Sequence, residues 1–377
     1  MGNDCCCVDE HIDYQHWDAQ RNTLRQNNRL TEDFKFADSQ AYDEEEEEET
    51  IYTHLSSRGR CSTEASDTDA ASLCSVKLKD PSERDQQSTV IQAHNVGFKE
   101  NMKFKRIDSL RDLYETFSVL GEGSFGCVYE GRHKKTQMPC AIKQIAKAGL
   151  RNDLHRALNR NEFQVLEVTH HPHITRVYEL MHDADNYYIV SELVTGGDLK
   201  RRQEAQPRKR FSDSEAASII RQVLLALNFL HKKNIMHRDL KPANIMSEAP
   251  TRQNGGELQV KLTDFGFAAK YDPYREDRQQ LGSPYWMAPE LCGKEPHSMK
   301  VDCWAVGVIA FQLLAGDLPF KALDRPSLYA RIRTEQPSFS QLRGASREAR
   351  RFIEDCLTKN PHKRPSVETL LTYSWVS

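Results

Sequence analysis

Apolar and polar residues alternate over the first part of residues 114–377, whereas from Ser212 onward apolar residues recur every three or four positions. Alternation is typical of strands, and the longer spacing is typical of helices. Ser212 or Asp213 is placed to cap the first long helix, because either side chain can accept hydrogen bonds from free amides. Strands followed by helices predict an α+β fold with a small sheet lobe and a larger helical lobe. The strand-like segments are 117–120, 127–129, 138–145 and 187–190, and later helical segments are 302–316 and 346–358.

Residues 1–113 show no sustained periodicity, and their apolar residues are too sparse to offset the entropy of ordering the chain. This region is therefore predicted to be largely disordered, with a short helix at 10–25 or 108–116 as the alternative. Its acidic run, Asp43 to Glu49, is interpreted as a solvated tract. A docking or autoinhibitory role for this run is the other interpretation.

Charge divides the chain at the same place. Residues 1–113 hold 14 Lys and Arg against 24 Asp and Glu, a net charge of −10, whereas the remainder carries +7. A basic second part suits polyphosphate ligands. The mean hydropathy of −0.70 and the lack of a long apolar run argue against a membrane span. The N-terminus lacks the pattern of a secretory signal, so a cytoplasmic protein is expected.

The ten cysteines show no spacing typical of a disulfide framework or a zinc site. Three of them, Cys5 to Cys7, follow Gly2 closely. Gly2 is a candidate for myristoylation and the three thiols for palmitoylation, a pair of lipid anchors that would hold a protein at a membrane. Position 6 departs from the myristoylation pattern, which expects Ser or Thr there. An ordinary N-terminus with reduced thiols is the alternative.

Residues 121–128 read GEGSFGCV, which fits the pattern G-x-G-x-x-G-x-V. Glycines let a backbone turn approach phosphate groups where a side chain would collide. Taken alone, these residues would also suit an ordinary hairpin turn or a dinucleotide-binding loop. The strand-like segment that follows argues against the dinucleotide-binding loop, which is followed by a helix.

Lys143 lies fifteen residues past Val128, within the strand-like segment 138–145. A strand lysine facing the glycine loop is suited to hold nucleotide phosphates when a carboxylate fixes it. Glu162 is the candidate partner, on the helix that follows. An unrelated surface lysine and surface glutamate are the alternative interpretation.

Three more motifs follow in order: HRDLKPAN at 237–244, DFG at 264–266 and APE at 288–290. The complete series resembles the protein kinase family over about residues 114–375 and is far more specific than any single motif. The resemblance implies a bilobal fold, with a small antiparallel β-sheet lobe plus one helix and a larger helical lobe, after a disordered tail. The implied boundaries are 1–113 for the tail, 114–192 for the small lobe and 193–377 for the large lobe.

The resemblance assigns chemistry to these motifs, with ATP and Mg²⁺ as the implied cofactors. Asp239 is expected to accept a substrate hydroxyl proton or orient that nucleophile, and Lys241 to neutralise charge on the transferred phosphoryl group. Lys143 and Glu162 complete the expected catalytic set. The implied magnesium ligands are Asn244 and Asp264, and the implied nucleotide-binding residues are Leu120, Gly121, Gly123, Ser124, Gly126, Val128, Ala141, Lys143, Ser191, Glu192, Val194, Asp198 and Met246.

Structural roles follow from the same resemblance. Asp302 is expected to brace the backbone of the loop 237–244, and Glu290 is expected to pair with Arg364. The residues expected to stack in the spine that marks an active state are Leu166, His237 and Phe265.

Two features imply serine/threonine specificity. Lys241 lies two residues after Asp239, as in serine/threonine kinases, and residues 282–286 read GSPYW, like the substrate loop of those enzymes. Ser283 in this loop is expected to bond Asp239 and Lys241.

The finer resemblance is to the calcium/calmodulin-dependent kinase group, and within it to the catalytic domain of calcium-dependent protein kinases. It rests on TGGDL at 195–199, an insert at 247–259 and the closing YSW at 373–375. Asp67 begins a stretch like a calcium loop, but Ser72 and Leu78 replace its required glycine and glutamate. Without an EF-hand, direct calcium control is not expected.

Substrate choice departs from the group. Basophilic relatives hold arginine with three carboxylates, of which only Asp198 is kept here, while Ala243 and Gln312 stand at the other two positions. A strong preference for arginine is therefore not expected.

Regulation is expected to differ as well. Kinases with an arginine at the position of Arg238 often need a phosphate on the activation segment to pair with it. By spacing from the substrate loop, the usual phosphosite falls at Gln279 in this chain. Glu276 or Asp277 would supply a standing negative charge, so activity without phosphorylation is expected. Ser191 occupies the gatekeeper position, and so small a residue predicts sensitivity to bulky ATP-competitive inhibitors.

The predicted function is thus a serine/threonine protein kinase in intracellular signalling, with protein substrates and without a nucleic-acid partner. The main alternative is an ATP-binding pseudokinase that acts as a scaffold. A second alternative makes the acidic tail the working part of an interaction protein.

Overall fold

The computed structural model describes residues 104–123, 126–150, 161–166, 168–248 and 257–377. All of them fall within the unit Arg84–Ser377. The predictions of disorder for residues 1–103 and of acylation lie outside the described residues, as does the acidic run. Ten residues ahead of the expected boundary at 114 are described, and they form part of the fold, so the disorder predicted for them is wrong. A helix at Leu110–Leu113 confirms part of the alternative helix at 108–116.

Six strands form the sheet of the small lobe, in the spatial order β1-β5-β6-β4-β3-β2. β1 pairs in parallel with β5, and the other neighbouring pairs are antiparallel. This confirms the predicted bilobal α+β fold and its strand-like segments, and it adds β1 and β5, which the sequence reading missed. The strands are β1 Lys105–Arg106, β2 Tyr114–Gly123, β3 Gly126–His133, β4 Pro139–Ala146, β5 Val177–His182 and β6 Asn186–Glu192.

The two faces of this sheet bury different residues, because successive side chains of a strand point to opposite sides. On the outer face, Ile142 and Val190 pack with Leu110 of the short helix α1 (Leu110–Leu113). On the other face lie Ile145 and Ile189, which belong to the large core shared with the helical lobe. Lys143 pairs in register with Ile189 and therefore lies on this inner face.

The helical lobe is built around one central helix, α5 (Lys300–Ala315), in which nearly every residue is buried. A helix that is apolar on all sides belongs at the centre of a lobe. α3 begins at a capping box, where Ser212 and Glu215 bond each other's backbone amides, so the cap is Ser212. The remaining helices are α2 Leu199–Glu204, α3 Asp213–Lys232, α4 Pro289–Cys292, α5 Lys300–Ala315, α6 Arg325–Thr334, α7 Arg347–Cys356 and α8 Val367–Leu370.

Two short antiparallel strand pairs place the motifs at 237–244 and 264–266 side by side. β7 (Ile235–Met236) pairs with β10 (Ala269–Lys270), and β8 (Ile245–Ser247) pairs with β9 (Val260–Leu262). The loop 237–244 thus joins β7 to β8, while residues 263–268 join β9 to β10. These two connections must lie next to each other because their flanking strands are paired. Among the described helices, none is both long and apolar enough to cross a lipid bilayer.

Candidate active site

Lys143 on β4 lies between two carboxylates. Its Nζ donates to Glu162 Oε1 at 2.7 Å and to Asp264 Oδ1 at 3.2 Å. Burial opposes the charge on Lys143, but the two carboxylates outweigh burial and raise its pKa. Burial likewise acts against the Asp264 carboxylate, yet Lys143 holds the pKa of Asp264 below its usual value. The predicted Lys143–Glu162 pair is confirmed, and the alternative of two unrelated surface residues is wrong.

The glycine loop is the hairpin between β2 and β3, in which Gly121 faces Val128 and Gly123 faces Gly126. Gly126 has φ +154°, and a Cβ there would lie 1.9 Å from the carbonyl oxygen of Gln144, so only glycine fits. At Gly121 a Cβ would meet no atom within 4 Å. The last glycine thus allows packing on β4, while the first borders open space that is available to a ligand.

The loop 237–244 is held by Asp302, which is buried at the start of α5. Its two carboxylate oxygens accept from the amides of His237 and Arg238 at 3.0 and 2.9 Å. His231 Nε2 lies 2.8 Å from the same carboxylate. Burial alone would raise the pKa of Asp302, but these bonds lower it, so the group is ionised and braces the loop as predicted.

The Asp239 carboxylate is the centre of a hydrogen-bond network. Oδ1 accepts from the amide of Ser283 at 2.8 Å, and Oδ2 accepts from Asn244 Nδ2 at 3.0 Å. Lys241 Nζ lies 3.5 Å from Oδ2 and donates to Ser283 Oγ at 2.8 Å. The predicted bonds of Ser283 are confirmed, and the segment with the sequence GSPYW lies directly against Asp239.

Strained backbone marks the same loops. Arg238 has φ +66° and Asp264 has φ +57°. Both values lie in the left-handed region, which residues other than glycine rarely adopt. Gly282 has φ +107°, and a Cβ there would lie 2.4 Å from the carbonyl oxygen of Arg238. Such strain persists where the surrounding structure holds it, and it is frequent at functional sites.

Three buried side chains were expected to stack: His237 from the motif at 237–244, Phe265 from the motif at 264–266 and Leu166 from the helical segment 161–166. The rings of His237 and Phe265 have centroids 5.1 Å apart. Leu166 and Phe265 belong to the same hydrophobic core. The contact expected between His237 and Phe265 is confirmed, while the stacking of Leu166 on Phe265 stays a prediction, because the two residues are known only to share one large core.

Asn244 and Asp264 offer oxygen ligands of the kind that Mg²⁺ prefers. Asn244 Nδ2 donates to Asp239 O and Oδ2, which turns the amide oxygen away from that carboxylate. Asp264 is 43% exposed. Within the described residues no group of three or more His, Cys, Asp or Glu side chains is arranged to hold a metal. Two protein ligands nevertheless suit Mg²⁺, which takes its other ligands from water and phosphates, so the donor set fits the ion.

Strand pairing brings most of the implied nucleotide-binding residues together. Ala141 pairs with Ser191, and Val128 pairs with Lys143, so these side chains lie on neighbouring strands. Leu120 is 41% exposed on β2. Ser124 lies outside the described residues.

At the end of β6 and just beyond it, two of the implied nucleotide-binding residues have other partners. The Glu192 carboxylate accepts from Lys261 Nζ at 2.7 Å, and the Glu192 backbone amide donates to the carbonyl of Arg176 at 2.9 Å. Asp198 caps α2 through the amide of Arg201 at 2.8 Å and contacts Arg201 Nε at 3.3 Å. Met246 forms an isolated bridge with Asp198, and Val194 is half-buried between β6 and α2.

The activation segment is tied to the loop 237–244 by an ion pair. Arg238 Nη1 donates to Asp277 Oδ2 at 2.8 Å, and Arg238 Nε donates to Phe267 O at 2.7 Å. Glu276 pairs instead with Arg278 at the surface. Of the two acids considered for a standing negative charge, only Asp277 is therefore in place.

A buried salt bridge joins the end of the activation segment to the C-terminal region. Arg364 Nη1 and Nη2 donate to the two oxygens of Glu290 at 2.7 and 3.0 Å. Both side chains are almost completely buried. The predicted Glu290–Arg364 pair is confirmed.

Some site residues escaped the sequence reading. His231 had only its closeness to the loop 237–244 as a signal. His297 had none, although its imidazole lies 3.6 Å from Asp277 Oδ2. Burial lowers the pKa of His297, with Asp277 opposing and Arg238 reinforcing this shift. Phe104 was missed because it falls in a region with few apolar residues.

Comparison with known families gives a match over residues 114–376 to the model described as protein kinase domain. Calcium-dependent protein kinase 4 of Plasmodium falciparum is 31% identical over 267 residues, which cover 70% of this chain and 49% of that protein. Serine/threonine-protein kinase PLK4 of Drosophila virilis is 32% identical over 282 residues, 73% of this chain and 34% of that protein.

Myosin light chain kinase A of Dictyostelium discoideum is 32% identical over 266 residues, covering 70% of this chain and 88% of that protein. The chain therefore spans half or less of the first two relatives and most of the third. The three names belong to different kinds of serine/threonine kinase at nearly the same identity, so the match does not separate one group from another.

Proposed function

Because this chain belongs to the protein kinase family, we propose that it is an active serine/threonine protein kinase that transfers the γ-phosphoryl group of ATP to protein hydroxyls. The observation that carries the proposal is the network around Asp239, formed with Lys241, Asn244 and Ser283. The ammonium group of Lys241, the side-chain amide of Asn244 and the backbone amide of Ser283 all lie against the Asp239 carboxylate. Phosphoryl transfer needs this kind of positioning more than covalent chemistry by the protein.

The residues divide the work in the proposed reaction. Asp239 orients the attacking hydroxyl and takes its proton, while Lys241 offsets the charge on the phosphoryl group. Lys143, held by Glu162, fixes the phosphates of ATP. Mg²⁺, bound through Asn244, Asp264 and the phosphates, would neutralise the negative charge of the phosphate oxygens.

The surroundings of the substrate loop argue against a strong preference for arginine near the target residue. Gln312, at a position where basophilic kinases carry an acid, accepts through Oε1 from Trp286 Nε1 at 3.2 Å. The Asp198 carboxylate is already occupied by Arg201. No described carboxylate at these positions is therefore available to bind an incoming guanidinium.

Basic residues lie close to this surface. Gln203 Nε2 donates both to the carbonyl of Gln312 and to that of Lys209. The segment with Arg208 and Lys209 thus lies beside the helix that holds the substrate loop, and both residues are exposed. We propose that peptides with acidic residues near the target are preferred to peptides with arginine there.

The test is transfer of radiolabelled phosphate from ATP and Mg²⁺ to a degenerate Ser/Thr peptide library, with Asp239→Asn as the inactive control. Transfer by the wild type alone supports the proposal, and enrichment of acidic over arginine peptides supports the substrate class. The pseudokinase alternative predicts ATP binding with no transfer by either protein, and this result would overturn the proposal.

The finer assignments are proposals that rest on sequence. We place the chain in the calcium/calmodulin-dependent kinase group on the motifs at 195–199 and 373–375, with a role in signalling. A cytoplasmic location with acylation at Gly2 and Cys5 to Cys7 is likewise proposed. Unchanged membrane partitioning of a Gly2→Ala variant in cells would contradict the acylation.

A further inference from the structure

The chain just before the matched kinase region is attached to the far edge of the small sheet. Strand β1 pairs with β5 through Lys105–Met181 and Arg106–His182, and the amide of Ile107 donates to His182 O at 3.0 Å. This pairing fixes the position of the residue that precedes β1, Phe104.

Phe104 belongs to a cluster of three aromatic rings with Phe163 and Tyr187, hereafter the aromatic cluster. The Phe104 ring meets Phe163 edge-on, with centroids 4.8 Å apart at 84°, and lies 5.4 Å from Tyr187. Phe163 and Tyr187 are themselves 5.5 Å apart. Each ring therefore contacts the other two, in the edge-to-face and tilted geometries that aromatic pairs favour.

The cluster joins the two elements that carry the Lys143–Glu162 pair. Phe163 directly follows Glu162 in the helical segment 161–166 and is 3% exposed. Tyr187 on β6 pairs in register with Ile145 on β4, two residues beyond Lys143. Residues two apart on a strand point to the same face, so the cluster and Lys143 lie on one side of the sheet.

We propose that Phe104 is a positioning residue that holds the helical segment 161–166 against the sheet, so that Glu162 stays paired with Lys143. The inference rests on the proposed function to the extent that Lys143 acts on ATP. Phe104 acts from a site outside residues 114–376, which match the kinase family. The structure thus places a requirement for catalysis in the segment that links the N-terminal region to the kinase domain.

A matched control exists on the other face of the sheet. Leu110, from the same N-terminal segment, is buried with Ile142 and Val190 in the outer cluster. Removing its side chain destabilises the small lobe without touching the aromatic cluster. A purely structural role for Phe104 would make the two residues equivalent.

The experiment compares the full-length wild type with Phe104→Ala, Phe104→Tyr and Leu110→Ala. Hydrogen exchange reports on the amides of 161–166 relative to those of α5 in the helical lobe, and steady-state assays give kcat and KM for ATP. Phe104→Ala should lower the protection of 161–166 by about tenfold, since an aromatic contact shifts an equilibrium by roughly that factor. Its kcat/KM for ATP should fall, by no more than the same factor.

The other variants decide between positioning and stability. Phe104→Tyr keeps the ring and should keep both readouts at their wild-type values. Leu110→Ala should lower the melting temperature but leave 161–166 as protected, relative to α5, as in the wild type. Equal effects of Phe104→Ala and Leu110→Ala on 161–166, or none from Phe104→Ala, would overturn the proposal. If the wild type transfers no phosphate, the proposed function fails, while hydrogen exchange still decides whether Phe104 holds the segment.

Discussion

Replacing Asp277 with asparagine would remove the negative charge that lies 2.8 Å from the guanidinium of Arg238. The Arg238 side chain is only 2% exposed, so water does not replace the lost partner. Burial already lowers the pKa of Arg238, and Asp277 is the largest influence that opposes this effect. Phe267 O would be left as an uncharged acceptor for the guanidinium.

The cost follows from the degree of burial. Removing one member of a buried ion pair costs about 3–5 kcal/mol. Asparagine keeps an acceptor oxygen, and hydrogen bonds to a charged partner exceed neutral ones by about 1–1.5 kcal/mol. We therefore expect Asp277→Asn to lower the free energy of unfolding by about 1–2 kcal/mol, and Asp277→Ala by about 3 kcal/mol or more. Activity should fall too, because the pair connects the activation segment to the loop with Asp239.

Calorimetry and the peptide phosphorylation assay measure the two effects, with Glu276→Gln as the matched control. Glu276 is one residue away, is 68% exposed and pairs with an exposed arginine, so its loss should cost less than about 0.5 kcal/mol. Wild type treated with a phosphatase, and shown by mass spectrometry to carry no phosphate, should keep its activity, since Asp277 supplies the charge.

Either of two results would refute this reasoning. One is an Asp277→Asn protein as stable and active as Glu276→Gln, which would mean that Arg238 does not depend on the carboxylate. The other is loss of activity on phosphatase treatment, which would mean that a phosphate and not Asp277 supports the active arrangement.

Three further predictions concern other sites. His297→Phe should raise the free energy of unfolding by about 1–3 kcal/mol at pH 7, since neither ring nitrogen has a hydrogen-bond partner in the described part of the chain. Because the pKa of His297 is lowered in the folded state, the stability that depends on a neutral His297 is complete above about pH 6.5 and is lost as the pH falls. Between pH 7 and pH 5, denaturation should therefore show a smaller loss of folding stability in His297→Phe than in the wild type. Equal losses in the two proteins would contradict this. Glu290→Ala should cost about 3–5 kcal/mol by leaving Arg364 buried without its partner, and a double-mutant cycle with Arg364→Met should show strong coupling. Ser191→Phe should weaken a bulky ATP-competitive inhibitor by on the order of tenfold with little change in KM for ATP, and unchanged inhibition would disprove the gatekeeper assignment.

Sequence alone was sufficient for features that depend on local chemistry or on motif spacing. Alternation predicted β3 and β4, because a half-buried strand shows its two faces every second residue. The capping of α3 by Ser212 needs only neighbouring residues. The order of the motifs predicted the Lys143–Glu162 and Glu290–Arg364 pairs, since a family resemblance carries contacts across long sequence separations.

Only the tertiary structure could choose between residues that look alike in sequence. Glu276 and Asp277 are adjacent acids, and the path of the activation segment turns only Asp277 toward Arg238. Asp198 looks available for a ligand, yet the start of α2 uses its carboxylate as a cap.

The same holds for the N-terminal segment. Phe104 lies in a stretch whose composition predicts little structure, and its partners Phe163 and Tyr187 are more than fifty residues away. The sequence thus determined the family, the two lobes and the motifs that surround the candidate site. The folded chain decided which side chains meet, because a contact depends on where distant elements place each residue and not on that residue's own neighbours.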